Sequence, residues 1–195
     1  AMQDGRYVTA NLDTYMMPSI ADAPESGGMI ETIAVAFRLN GADTAMQVPP
    51  DMRLIDMLRE RLGLTANKKA CGIGRCGACA VLMDGRPVNS CLLMAWQIVG
   101  ADILTPEGLD ALPEAAIVRS ALAEENAFQC GYCAPGFTIV LTALLREHLD
   151  ADEPAIRAAL EGNICRCTGY HSIIRGALAA ARAMADRSAP QPTHG

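Results

Sequence analysis

Aromatic side chains are scarce in this sequence: three Phe, four Tyr and one Trp make up only 4% of 195 residues. Aliphatic side chains, Ala and Met must therefore fill any core. Histidine is scarcer still. His148, His171 and His194 lie far apart, near helix ends or in the C-terminal tail, and read as structural or solvent-exposed rather than as ligands. Basic residues are outnumbered, 16 against 22 acidic ones, for a net charge of −6. That balance excludes the basic face on which nucleic-acid binding depends. No run approaches the roughly 20 apolar residues that span a bilayer. The N-terminal stretch lacks the basic and apolar regions of a secretory signal, so the expected location is cytoplasmic, or export while folded alongside a partner. A nucleotide-binding glycine motif and a nucleophile–base arrangement are also missing. What remains is a globular composition, 51% apolar and 19% charged, with eight cysteines: Cys71, Cys76, Cys79, Cys91, Cys130, Cys133, Cys165 and Cys167. Disulfides, zinc and iron–sulfur clusters compete to explain them.

The chain reads as two halves that meet near residue 108. Residues 1–28 are loop-like. Ile33, Val35, Phe37 and Leu39 then alternate with less apolar residues, the period of a half-buried strand. Asn40-Gly41 signals a hairpin, and the return strand runs from about Asp43 to Val48, ended by Pro49 and Pro50. Asp51 is placed to cap a helix reaching about Leu62, with Leu54, Ile55, Leu58 and Leu62 on one face. A cysteine loop spans residues 70–79. Ala80 to Met83, the turn Asp84-Gly85 and Arg86 to Asn89 form a second hairpin, and the region up to Thr105 is expected to add an edge strand. This order is that of a β-grasp, ferredoxin-like domain. Beyond Pro106 strand signals vanish. Helices are expected over Leu112–Glu125, Phe137–His148 (Pro135 just inside its start), Pro154–Glu161 and Ile173–Asp186, before a disordered tail. The fold class is α+β, with an all-α second half.

Cys71, Cys76 and Cys79 have the spacing C-x4-C-x2-C, and Cys91 follows after eleven intervening residues. This is the plant-type [2Fe–2S] arrangement. Three thiolates must converge from one tight loop, and Gly72, Gly74 and Gly77 permit the unusual dihedrals while letting backbone N–H groups approach the sulfur atoms. Disulfides suit such a loop poorly. Structural zinc prefers paired C-x2-C knuckles, of which only Cys76 and Cys79 make one.

Cys130 and Cys133 lie between two expected helices, and Cys165 and Cys167 in the loop Gly162-Asn-Ile-Cys-Arg-Cys-Thr-Gly169. Thirty-one residues separate the pairs. Taken alone, this set stays open between zinc and iron. The C-x-C pair is unusual for zinc and suits an iron held by two adjacent thiolates. A helix N-terminus just after Cys133 favours the thiolate there. Arg166 either adds to that effect or is a solvated cation.

Together these segments resemble the small subunits of the xanthine dehydrogenase and aldehyde oxidase family of molybdenum hydroxylases. The resemblance rests on C-G-I-G-R-C-G-A-C at 71–79, N-S-C-L at 89–92, T-P-E-G-L at 105–109, Q-C-G-Y-C-A-P-G at 129–136 and G-N-I-C-R-C-T-G-Y at 162–170, and covers about residues 30–186. Ala134, where the family commonly has Thr, is a departure that touches no ligand. The resemblance implies a β-grasp domain over 29–107, its [2Fe–2S] cluster held by Cys71, Cys76, Cys79 and Cys91. It implies a four-helix-bundle domain over 108–187, its cluster held by Cys130, Cys133, Cys165 and Cys167. Gln129 is implied to contact the molybdopterin; its plainer reading is a hydrogen bonder that steadies the loop. The implied partners are a large molybdenum-cofactor subunit and an acceptor subunit carrying FAD, or a haem protein, in a heteromeric complex of the order of a dimer of heterotrimers. The chain would carry electrons and perform no substrate chemistry. N-S-C-L and the following L-M-A-W-Q lean towards xanthine- or purine-type relatives with a flavin partner, with aldehyde and N-heterocycle hydroxylases close behind.

Residues 1–28 resemble the C-terminal tail of a molybdenum subunit, through an N-L-x-x-Y-x-x-P-[ST]-x-x-D-x-P pattern whose Leu12, Tyr15, Met16, Met17 and Ile20 call for burial. Such a tail would pack against the partner, or mark a fusion or split of neighbouring genes; a disordered leader or expression remnant is the plainer explanation. Two other functional classes are a free-standing two-cluster ferredoxin or redox sensor, and a zinc-stapled interaction module.

Overall fold

A computed structural model describes residues 31–188. The extension over 1–28 and the tail from 189 lie outside the described residues. Strand β1 (Ile33–Leu39) pairs antiparallel with β2 (Ala42–Val48), from Ile33 opposite Val48 to Leu39 opposite Ala42. The turn between them puts Asn40 at φ 50° and Gly41 at φ 85°, the left-handed pair of a tight hairpin. Alternation along β1 drives Val35, Phe37 and Leu39 inward. Helix α1 is short, Leu54–Asp56, and continues as a π-helical turn over Met57–Arg61, closed by Leu62 N–H donating to the Met57 carbonyl at 3.1 Å. Asp51 does not cap it. Arg53 occupies the N-cap with no side-chain cap bond, because the chain there is pinned instead to the segment after Cys91.

Strands β3 (Ala80–Met83) and β4 (Arg86–Asn89) form the second hairpin. Strand β5 (Asp102–Leu104) departs from expectation. It is central, not an edge: the sheet order is β2-β1-β5-β3-β4, with β5 parallel to β1 and antiparallel to β3. The physical reason is Ile103, fully buried in the sheet core, which an edge position would have left half-covered.

Asn40 ties the first half to the second. Its amide donates to the Thr105 hydroxyl at 3.1 Å and accepts from Thr105 N–H at 2.9 Å. A 3₁₀ turn over Pro106–Ala111 then leads into α2 (Pro113–Glu124), α3 (Ala134–Glu147), α4 (Glu153–Ala159) and α5 (His171–Ser188). Asp152 caps α4 by accepting from Ala155 N–H at 2.9 Å. Helices α2 and α5 approach closely: a Cβ on Gly176 would sit 3.0 Å from Leu122 Cδ2.

Two apolar cores result. One lies beneath the sheet, with Val35, Phe37, Leu54, Leu58, Val81, Ile98 and Ile103; the other fills the helices, with Val118, Phe137, Ile139, Leu141, Leu145, Ile156 and Ile173. Full burial of each such side chain contributes about 1.5–3 kcal/mol. Strand β3 feeds both: Val81 faces the first core, Ala80 and Leu82 the second. Among the described residues, no helix is long and apolar enough to cross a membrane.

Candidate metal centres

The first set of thiols is assembled by the loop between the π-helical turn and β3, plus the residue after β4. Glycine conformation makes the loop possible at two points in particular. Gly74 lies at φ 73°, and a Cβ there would meet Leu92 Cδ1 at 2.4 Å; Gly77 lies at φ 67°, and a Cβ would meet Asn163 Nδ2 at 2.5 Å. Backbone donors turn inward: Arg75 N–H donates to Cys71 Sγ and Gly74 N–H to Cys91 Sγ, both at 3.3 Å. Polar side chains brace the wrap. Asn67 donates to the Ala80 carbonyl at 2.8 Å, Asn89 to Gly74 at 3.1 Å, Ser90 to Cys79 at 2.7 Å and Arg53 to Gly72 at 2.8 Å. Cys79 and Cys91 are buried against Ile55, while Cys71 and Cys76 are half-buried and face each other.

Electrostatics differ across this set. The Ile73 N–H beside Cys71 lowers its thiol to about 6 against the opposing effect of burial, with the Cys76 thiol and further backbone N–H groups adding to the lowering. Burial pushes Cys79 up to about 11, and the adjacent Cys91 adds to that.

The second set comes from two interhelical loops. Cys133 is the N-cap residue of α3. Cys130 and Cys167 are exposed with their sulfur atoms 3.7 Å apart, while Cys133 and Cys165 are buried and face each other. The thiol contacts therefore run across the two loops. At Cys133, burial, then the Cys165 thiol, push the thiol up to about 12. Burial acts the same way on Cys165, but the Thr168 hydroxyl, donating at 3.1 Å, and the Cys167 and Thr168 N–H groups bring it below the ordinary thiol value. Cys167 is raised, first by its contact with Cys130. Tyr170, at φ 71°, locks the loop: its hydroxyl accepts from Cys165 N–H at 3.0 Å and donates to the Asn163 carbonyl at 3.1 Å. Gln129 is exposed beside Cys130 and makes no hydrogen bond among the described residues.

In each set the thiols stand as two facing pairs. Two pairs suit a two-iron cluster, with two thiolates on each iron, better than one tetrahedral ion. The all-sulfur donor set and the N–H groups aimed at sulfur fit such a cluster as well. The two loops touch directly. Ile164 N–H donates to the Cys76 carbonyl at 3.0 Å, Tyr132 OH to Lys69 at 2.9 Å, and a Cβ on Gly136 would meet the Gly77 oxygen at 2.2 Å. Asn89 and Ser90 were signalled by the N-S-C-L segment. Thr168 lies in the Gly162–Tyr170 segment, whereas the roles of Arg53 and Asn67 had no periodicity to reveal them.

Residues 37–102 match a family described as a 2Fe-2S iron-sulfur cluster binding domain, and residues 105–193 one described as a [2Fe-2S] binding domain. A probable xanthine dehydrogenase subunit of Bacillus subtilis is 46% identical over 143 residues, covering 72% of this chain and 82% of that protein. The nicotinate dehydrogenase small FeS subunit of Eubacterium barkeri is 39% identical, covering 75% and 95%. The structure is similar to a chain of the quinoline 2-oxidoreductase of Pseudomonas putida 86, with TM-score 0.74 and 36% identity over 80% of this chain and 97% of that one. On its two families, its mixed sheet followed by helices and these relatives, the chain belongs to the 2Fe-2S small subunits of the xanthine dehydrogenase and aldehyde oxidase family.

Proposed function

We propose that this chain takes electrons from the molybdenum cofactor of a large partner subunit and delivers them, through two [2Fe–2S] clusters, to FAD or another acceptor. Family membership carries the coarser statement: it is the iron–sulfur, electron-transfer subunit of a molybdenum-hydroxylase-type oxidoreductase, without substrate chemistry of its own. The finer assignment gives residues 29–107 and the cluster of Cys71, Cys76, Cys79 and Cys91 to the acceptor side. It gives residues 108–187 and the cluster of Cys130, Cys133, Cys165 and Cys167 to the molybdenum side, with Gln129 against the pterin.

The observation that carries this reading is the direct contact of the two thiol loops, through Ile164 N–H and the Cys76 carbonyl at 3.0 Å. When bound, each cluster supplies a one-electron carrier. The protein's residues do the rest. Eight thiols hold the clusters. Gly74 and Arg75 N–H and the Thr168 hydroxyl stabilise negative charge on sulfur. The sheet and helix cores bury Cys79, Cys91, Cys133 and Cys165 against water, while Cys130 and Cys167 open to the surface where a partner can approach. Exposed Ile73 and Leu92, beside Cys71 and Cys91, give the other loop an apolar rim of the kind a protein partner covers. The names of the relatives span xanthine, nicotinate and quinoline, so the substrate, whether purine, aldehyde or N-heterocycle, is set on the partner subunit.

The order of the relay is tested by Cys165→Ser in the assembled complex. Substrate should then fail to reduce the ferredoxin-like cluster in rapid-freeze EPR, while dithionite still reduces it. Undiminished reduction by substrate would reverse the proposed order.

A further inference from the structure

Arg53 lies eighteen residues before Cys71 in sequence and belongs to none of the cysteine motifs. The fold nevertheless ties it to both ends of the first thiol set. Its backbone forms an isolated antiparallel bridge with Met94, and the next residues continue the link: Leu54 N–H donates to the Leu93 carbonyl at 2.8 Å and Ile55 N–H to Ser90 at 3.1 Å. These bonds fix the chain on both sides of Cys91. Its guanidinium reaches the other way and donates to the Gly72 carbonyl at 2.8 Å, beside Cys71. One residue therefore spans the first and last thiols of the set.

The Arg53 side chain is half-buried, and no acidic side chain among the described residues pairs with it. Nearby Lys69 is neutralised by Asp56 at 2.6 Å, but Arg53 enters none of the ion pairs among the described residues. Arg75, in the loop itself, is exposed to solvent, where its charge is screened. A four-thiolate [2Fe–2S] cluster gains one further negative charge on reduction, so a fixed cation beside it favours the reduced form.

We propose that Arg53 is a positioning residue that sets the reduction potential of the ferredoxin-like cluster, by clamping the Cys71 and Cys91 segments and by holding against them a positive charge that no acid among the described residues neutralises. This rests on the reading that Cys71, Cys76, Cys79 and Cys91 hold such a cluster. In the relay, Arg53 makes that cluster the better electron acceptor of the two, and so biases transfer from the helical half towards the sheet.

The test is an EPR-monitored redox titration of the full chain with both clusters loaded, comparing wild type with Arg53→Lys and Arg53→Met. The helical-half cluster serves as an internal reference. In R53M the ferredoxin-like midpoint should fall, with a change of roughly fivefold to tenfold in its oxidised-to-reduced ratio at the wild-type midpoint, while the other midpoint holds. R53K, which keeps the charge, should lie near wild type. Equal shifts of both clusters, or no shift in R53M, would overturn the inference. If R53M fails to load the first cluster, R53K decides: loading with a near-wild-type midpoint supports the role, and a midpoint displaced as far as a neutral residue would displace it refutes the role of charge. A wild-type protein without two distinct reduced signals would instead refute the underlying cluster reading.

Discussion

Residue-scale contacts in this protein are dominated by places where a side chain would not fit. Gly77 is the clearest. Its φ of 67° is costly for any other residue, and a Cβ would press on Asn163 Nδ2 at 2.5 Å and on the Gly162 carbonyl at 2.7 Å. Gly77→Ala is expected to cost roughly 2–4 kcal/mol, from dihedral strain and overpacking together, and to lower iron retention in the first set first. Thermal unfolding and iron assays would check both; an unchanged midpoint and full iron content would contradict the tight contact. The sequence made the need for flexible glycines in this loop legible, because three thiols within nine residues require it. It did not reveal what Gly77 presses against, since Asn163 is distant in sequence and no local pattern links them. The cross-loop contact of Cys130 with Cys167 was hidden for the same reason, and so was the burial of Cys133 against Cys165.

Elements differ in legibility according to how local their determinants are. The hairpin of β1 and β2 was legible because alternation and Asn40-Gly41 encode it within sixteen residues. Helices α2 to α5 were placed to within a few residues by their apolar spacing and prolines. Strand β5 was misjudged as an edge, because three residues carry too little pattern and its parallel pairing with β1 spans more than sixty residues. Helix α3 retains one local flaw. Thr142 is fully buried and its hydroxyl has no partner among the described residues, whereas Thr138 donates back to the Ala134 carbonyl at 2.9 Å. Replacing Thr142 by Val keeps the branched shape and removes an unpaired polar group. A gain of about 1 kcal/mol in urea unfolding is expected; a loss of that size would show that the hydroxyl has a partner.

At the scale of the whole molecule, the described chain forms a single compact unit, despite its two cores. Strand β3 is the reason, since its alternate side chains serve the sheet core and the helix core in turn. Leu82, 2% exposed and packed among the helices, should on replacement by Ala cost about 2–5 kcal/mol. Unfolding should remain one transition when followed both by near-ultraviolet circular dichroism and by cluster absorbance. Two separated transitions would mean that the halves are energetically independent. Such coupling suits an electron relay, because it fixes the contact between the two thiol loops. A relay of this kind requires both loops to hold two-iron clusters. Low-temperature EPR of the dithionite-reduced protein, with iron, acid-labile sulfide and zinc assayed on the same sample, tests this most directly. Two distinguishable reduced [2Fe–2S] signals are predicted, with about four iron and four sulfide per chain. Zinc in place of iron and no EPR signal, in protein purified without air, would contradict it.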